Sequence, residues 1–539
     1  MGLLRSGPQH LDKMLTILLR VSSSASQRNV LHIVADDLRT QLGFYNHSFM
    51  HTPNLDLLAT QSTVFENAYC QQPICSPSRN SFMSGLTPNH TKAYNFINYF
   101  REQRPKTVTM PEYFKNANAD TLALGSGKLY HTSNPPNHDE PLSWSPDPTM
   151  PVGESQTYYE SPWLKCPGCK TPPCNATYGS TFCISESLPE GEDYQTYLHA
   201  KGHLEYAAAK KKFFYIGVGF HRPHAPYISR AEDYAHYADN DGAASPPTHP
   251  LMDASVPDVA AIINFGIGDQ NGTRYSWNPK SEAVPPHVAV EVRKHYYSAV
   301  TWVDHLVGLL VADLKRLGVD HNTIIVFHSD HGYFQGESGE WEKKMLFENT
   351  ARVPLMIFDP ATPTAKRSFE LAELVDVYPT MVALANLPPP AAGAIDGTDL
   401  SSVIRGTSLS ERSGTVPIKA AAFTQYPRCP PKGNLGIIQD GACYNNPGTS
   451  FSYMGFSVRT QEWRYTEWRR WNPSKTKEVA DVIADWSDSG VVATELYEMT
   501  NCRASSPDVF DRQLTNVAKD PSHATEIAAL QKLIKQHFI

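Results

Sequence analysis

Several short segments of this 539-residue chain carry side chains able to bind ions and to move protons. Asp36 and Asp37 are adjacent acids, and Ser329-Asp330-His331-Gly332 adds a third carboxylate and an imidazole. Carboxylate oxygens are the hard donors that calcium or magnesium requires; a histidine nitrogen is an unusual addition to such a set. Cys75 opens Cys75-Ser-Pro-Ser-Arg79, a thiol with a cation four residues on. Lys128 and His131 lie three apart, His221-Arg-Pro-His224 supplies two more imidazoles, and Lys343 ends the run that begins at Gly336. A divalent ion, a thiol beside it, and cations and imidazoles around both could hold an anion and move protons. Taken singly, each group has a plainer reading. The acid pair could cap a helix or turn, the cysteine could be an inert buried thiol, and the histidines could be structural.

The elements that must position these groups are legible as apolar runs. Asn29–Ala35 reads as a strand covered on both faces and stops at Asp36-Asp37. Thr121–Leu124 leads to Lys128 and His131, Phe213–Phe220 to His221 and His224, and Thr323–Phe327 to Asp330 and His331. In open α/β sheets ligands sit outside the carboxyl ends of parallel strands, so one crevice could collect all four sets. Proline two residues after Cys75 fits the first turn of a helix that Gly85 ends, which puts Cys75 at an N-terminus where unsatisfied N–H groups favour an anion. Val292, Tyr296, Ala299, Val303, Leu306, Leu310 and Leu314 form one helical stripe. The expectation is an α/β fold, a large mostly parallel sheet sandwiched by helices, with a smaller C-terminal α+β subdomain. In this reading residues 1–27 are an imperfect leader and residues 28–445 the catalytic domain. Residues 446–539 form the subdomain, with a hairpin from Gly455–Arg459 to Trp463–Trp468 and a terminal helix from Ala524.

Composition narrows the classes. A net charge of −8 argues against a nucleic-acid binder working through overall positive charge, and protonating the 21 histidines would reverse that sign, which suits an acidic compartment and a polyanionic substrate. No apolar run is long enough for a transmembrane segment. Cys166, Cys169, Cys174 and Cys183 crowd one Pro-rich loop, while Cys429 and Cys443 flank another; both fit disulfides of an oxidising compartment, although the first cluster could instead hold zinc. Asn46, Asn89, Asn175 and Asn271 begin glycosylation sequons.

Cys-x-Pro-Ser-Arg with glycine ten residues after the cysteine resembles the signature of type I sulfatases of the alkaline phosphatase-like superfamily, with Met83-Ser84-Gly85 in place of the commoner Leu-Thr-Gly. Ala35-Asp-Asp37, Thr52-Pro-Asn-Leu55, Gly127-Lys-Leu-Tyr-His131, Ser329-Asp-His-Gly332 and Glu495-Leu-Tyr497 resemble further landmarks of that family, in the expected order. Tyr94-Asn-Phe-Ile-Asn-Tyr99, Gly219-Phe-His-Arg-Pro-His224 and Gly336–Lys343 are similar to its iduronate-2-sulfatase branch. The similarity is weakest near the N-terminus, across 150–190 and between 235 and 285. The resemblance implies a sulfuric ester hydrolase acting on the 2-O-sulfate of iduronate in heparan and dermatan sulfate. Cys75 would be converted to Cα-formylglycine by the formylglycine-generating enzyme, and one Ca2+ would be held by Asp36, Asp37, position 75, Asp330 and His331. It further implies that Arg79 braces the bound anion, Lys128 steadies the nucleophilic oxygen, His131 takes its proton, His221 protonates the leaving sugar oxygen and Lys343 holds the sulfate. His224 and Trp341 are second-rank candidates. The implied setting is the secretory pathway, lysosomal or secreted. The competing readings are an arylsulfatase or other glycosaminoglycan sulfatase, a phosphonate hydrolase, and a non-catalytic extracellular glycan-binding protein with Cys75 unmodified, in a disulfide to Cys70 or Cys502.

Overall fold

The computed structural model describes residues 27–132, 134–147, 182–184, 191–268, 274–407, 417–430, 433–439, 443–472, 483–506, 509–510 and 515–539. Residues 1–26 of the implied leader, Cys166, Cys169 and Cys174 of the first cysteine cluster, and the sequons at Asn175 and Asn271 lie outside the described residues. Seven strands form the principal sheet: β1 (Asn29–Ala35), β2 (Thr63–Tyr69), β3 (Thr121–Gly127), β4 (Phe213–Phe220), β5 (Thr323–Ser329), β6 (Arg352–Phe358) and β7 (Lys366–Glu373). Their order is β7-β2-β6-β5-β1-β4-β3, and only β6 runs against its neighbours. The four strands read from the sequence are therefore side by side and parallel, so their carboxyl ends open on one edge.

The buried face alternates as strand geometry requires. Leu31, Ile33 and Ala35 pack with helices α3 (Glu192–Ala209) and α4 (Pro286–Arg316), whereas Val30 and Val34 pack with α1 (Cys75–Ser84), α2 (Met110–Ala117) and α5 (Val377–Leu384). The stripe from Val292 to Leu314 lies wholly in the core, as its spacing predicted. The α/β sandwich expected from the sequence is the observed fold. No helix among the described residues is long and apolar enough to cross a membrane.

A second, antiparallel sheet is built from β8 (Ala422–Arg428), β9 (Tyr453–Arg459), β10 (Trp463–Asn472), β11 (Ile483–Ala484) and β12 (Val491–Glu498), and α6 (Ala524–Phe538) packs on it. The β9–β10 hairpin matches the sequence reading. Strand β8 lies before residue 446 yet pairs with β9 along its whole length, so this sheet begins earlier in the chain than the change in composition suggested. Cys429 and Cys443 form a disulfide just beyond β8.

The core also holds neutral histidines. His295 of α4 stacks on Phe182 at 4.3 Å and on Tyr234 at 4.6 Å, and burial, reinforced by Lys294, pushes its pKa down to about 3. Its folded-state value lies below that of the unfolded chain, so its contribution is fully present above pH ~6.5 and is lost as pH falls from there toward 3. A His295→Phe protein, measured by urea denaturation, should gain about 2 kcal/mol relative to wild type at pH 5 beyond any change at pH 7.5. Equal effects at both pH values would show that the buried ring is not held neutral.

Candidate active site

The carboxyl edge of the parallel strands gathers nearly every group singled out above. Asp36 and Asp37 follow β1, Lys128 follows β3, His221 follows β4, and Asp330 and His331 follow β5. Helix α1 presents Cys75 at its first position, ends with Gly85 at a φ of 71°, and buries every residue from 75 to 84. A Cβ at Gly219 would fall 2.2 Å from the backbone of Lys128, so glycine there lets the two strand ends close, with Lys128 N–H donating to the Gly219 carbonyl at 2.7 Å. That contact fixes where Lys128 leaves the sheet.

The Cys75 sulfur is the point of convergence. Lys343 Nζ lies 3.2 Å from it, Asp36 Oδ1 3.4 Å, His331 Nε2 3.5 Å and Lys128 Nζ 4.0 Å. The thiol is free and buried, as are Cys70 and Cys502, so neither is its disulfide partner. Burial, reinforced by Asp36, pushes its pKa up, while Lys128 and Lys343 pull the other way.

Three buried carboxylates meet three buried cations. Arg79 donates through Nε to Asp330 Oδ2 at 3.0 Å, sets Nη2 3.7 Å from Asp36, and donates through Nη1 to the Lys128 carbonyl. Lys128 pairs with Asp36, and Lys343 pairs with Asp37 at 2.5 Å. Asp330 also receives the backbone N–H groups of Asp37 (3.2 Å) and His331 (3.0 Å), which ties β1 to β5. The two adjacent acids differ. Burial pushes the Asp36 carboxyl up, but Lys128 and Arg79 outweigh it and hold the group well below its ordinary value. At Asp37 burial wins over Lys343 and raises the pKa to about 8. The lysines answer in kind, since Asp36 and Asp37 overcome burial and raise Lys128 and Lys343, the latter strongly.

The donor set suits a divalent cation. His331 Nδ1 faces the Gly332 carbonyl at 2.9 Å and so carries the ring proton. Its Nε2 lone pair is thereby turned toward Asp37 Oδ1 (3.4 Å), Asp330 Oδ2 (3.5 Å) and the Cys75 sulfur. Acceptors facing acceptors in a buried site are what a metal ion reconciles. Asp36, Cys75, Asp330 and His331 all offer ligand atoms within 4.8 Å of one another, as do Asp37, Cys75 and His224.

The remaining imidazoles form the walls. His131 stacks on Phe96 at 4.4 Å, and Phe96 stacks on Tyr444 at 5.0 Å. His131 Nδ1 faces the Thr132 carbonyl at 3.2 Å, and burial, reinforced by Lys128, lowers its pKa to about 3. His221 is held by its backbone N–H on Asp193 at 2.5 Å and lies edge-on to His224 at 4.7 Å. His224 Nε2 approaches Asp37 at 3.8 Å. Trp341 is buried in the apolar core. Phe96, Tyr444, Asp193 and Glu192 are the neighbours that residue-type reasoning missed. Glu192-Asp193 reads locally as an acidic helix start, which it also is.

This sheet is that of the alkaline phosphatase-like fold. A phosphonate monoester hydrolase from Silicibacter pomeroyi matches 95% of both chains at a TM-score of 0.66 and 17% identity. A 2-O GAG sulfatase matches 95% of this chain and 92% of its own at a TM-score of 0.63 and 17% identity. The sulfatase family model fits residues 28–387, and the chain belongs to the sulfatase family. The iduronate 2-sulfatase of Mus musculus is 31% identical over 519 residues, spanning 88% of this chain and 89% of its own length. The protein is thus a sulfuric ester hydrolase by family, with a site able to hold a divalent metal.

Proposed function

We propose that this chain removes the 2-O-sulfate of iduronate residues in heparan and dermatan sulfate, with Cys75 converted to Cα-formylglycine and Ca2+ as the metal. The observation that carries the reading is the convergence of Lys343, Asp36 and His331 within 3.5 Å of the Cys75 sulfur at a helix tip. Similarity to iduronate 2-sulfatase along nearly the full length of both chains supports the uronate substrate over an aryl ester. Asp36, Asp37, Asp330, His331 and the oxygen at position 75 would hold the ion. Once bound, the ion would polarise the sulfate oxygens. The aldehyde at position 75, once hydrated, would supply one hydroxyl to attack sulfur and a second whose deprotonation would let sulfate leave.

The chain's own groups do the rest. Arg79, anchored on Asp330 and on the Lys128 carbonyl, is fixed where it can face an anion above Cys75. Lys128 and Lys343, each on one acid of the Asp36-Asp37 pair, place two ammonium groups at position 75 and counter negative charge as it develops there. His131, neutral and with its Nδ1 proton on Thr132, can accept a proton at Nε2. His221 would protonate the departing sugar oxygen. The Cys429–Cys443 disulfide supports a secretory, lysosomal or extracellular setting. The test is a panel of sulfated disaccharides with and without 2-O-sulfate on the uronic acid. Release of sulfate only from the 2-O-sulfated members is expected, and preference for 6-O- or N-sulfated members would refute the assignment.

A further inference from the structure

General-acid work by His221 raises a difficulty. Burial, then Lys128 and Arg222, hold its pKa well below the ordinary imidazole value, with Asp36 acting weakly in the opposite sense. An imidazole so surrounded gives up its proton to solvent and has none to deliver unless an anion offsets the neighbouring cations. Glu192 is such an anion. It is the first residue of α3, its side chain is 11% exposed, and its Oε1 lies 3.3 Å from His221 Nδ1. We propose that Glu192 is a positioning residue for His221: its carboxylate holds the Nδ1 proton and balances the imidazolium, so that Nε2 protonates the departing sugar oxygen. The proposal rests on the sulfatase reading above.

An acid at a helix start is commonly explained by the helix dipole, but that role needs no burial and no imidazole partner. Here the next residue, Asp193, already serves the turn by accepting the backbone N–H groups of His221 (2.5 Å) and Arg222 (3.2 Å). Two consecutive acids thus grip one histidine, Asp193 by its backbone and Glu192 by its ring. Burial, offset in part by Arg222 and Lys128, raises the Glu192 pKa to about 7. The groups facing the pair are Lys128 beyond β3, Asp36 beyond β1, Arg79 of α1, and Arg222 and His224 of the loop that carries His221. In the step itself the sulfur–oxygen bond to the sugar breaks with its electrons on the sugar oxygen. That oxygen takes the Nε2 proton, and neutral His221 keeps Nδ1–H against the Glu192 carboxylate until solvent returns the proton.

The test compares Glu192→Gln with wild type on a 2-O-sulfated uronate disaccharide, whose alcohol leaving group needs a proton, and on 4-nitrophenyl sulfate, whose phenolate does not. With the disaccharide kcat should fall about 10²-fold, and with the aryl ester it should change by no more than about threefold. Glu192→Asp, too short to reach Nδ1, should show the same selective loss, and adding Glu192→Gln to His221→Ala should cost nothing further. Parallel losses on both esters, no loss on either, or additive effects in the double variant would overturn the role of Glu192. A wild-type chain that, with Ca2+ and with position 75 converted, cleaves neither ester would instead remove the sulfatase reading, and this role with it. If only the disaccharide is turned over, the double-variant comparison decides.

Discussion

A Cys75→Ala protein is expected to fold while losing sulfate-ester hydrolysis by about 10⁵-fold or more, the scale seen when an enzyme's nucleophile is deleted. The change removes one buried sulfur and leaves the ion pairs of Asp36 with Lys128 and Asp37 with Lys343 in place. Stability should therefore move little, which separates loss of chemistry from loss of fold. Cys75→Ser sharpens the point. A serine oxygen could attack sulfur, but the resulting ester has no second hydroxyl to expel sulfate, so the chain should stall carrying one sulfate and show a burst without turnover. Intact-mass measurement after mixing with substrate reads this directly. Sustained turnover by either variant would mean that position 75 is not the nucleophile.

Asp330→Ala should eliminate metal retention and activity together. The residue binds Arg79 and receives two backbone N–H groups, and its carboxylate is part of the cluster around Cys75. Alanine breaks the buried Arg79–Asp330 pair, a loss worth about 3–5 kcal/mol. Asp330→Asn keeps an oxygen for the backbone donors and removes only the charge, so it should stay folded and still bind Ca2+ at least about 10²-fold more weakly. Calorimetric titration with Ca2+ and elemental analysis after gel filtration report the outcome. Wild-type Ca2+ affinity in Asp330→Asn would contradict the ligand assignment, as would turnover in Asp330→Ala.

Much of this was legible in the residues because the informative signals were local. The runs 29–35, 213–220 and 323–327 are nearly continuous in apolar residues, as strands covered by helices on both faces must be, and each leads to the polar group it delivers. Pro77 and Gly85 bracket the helix that carries Cys75. What escaped notice depends on pairing across the chain. Nothing local in 422–428 announces that it joins the antiparallel sheet with 453–459, since strand pairing between distant segments leaves no periodic mark. Glu192 and Asp193 lie nearly thirty residues before the histidine they hold and look like a helix start. Phe96 could be read as part of a similar stretch, but its stacking against His131 and Tyr444 exists only once three separate loops meet.

The central claim concerns one side chain, and mass spectrometry of the peptide spanning residue 75 tests it most directly. The protein would be made in a host that contains the formylglycine-generating enzyme. An aldehyde at position 75, captured by a carbonyl-reactive hydrazide, is the predicted result. An alkylatable thiol in fully folded, metal-loaded protein would contradict the account.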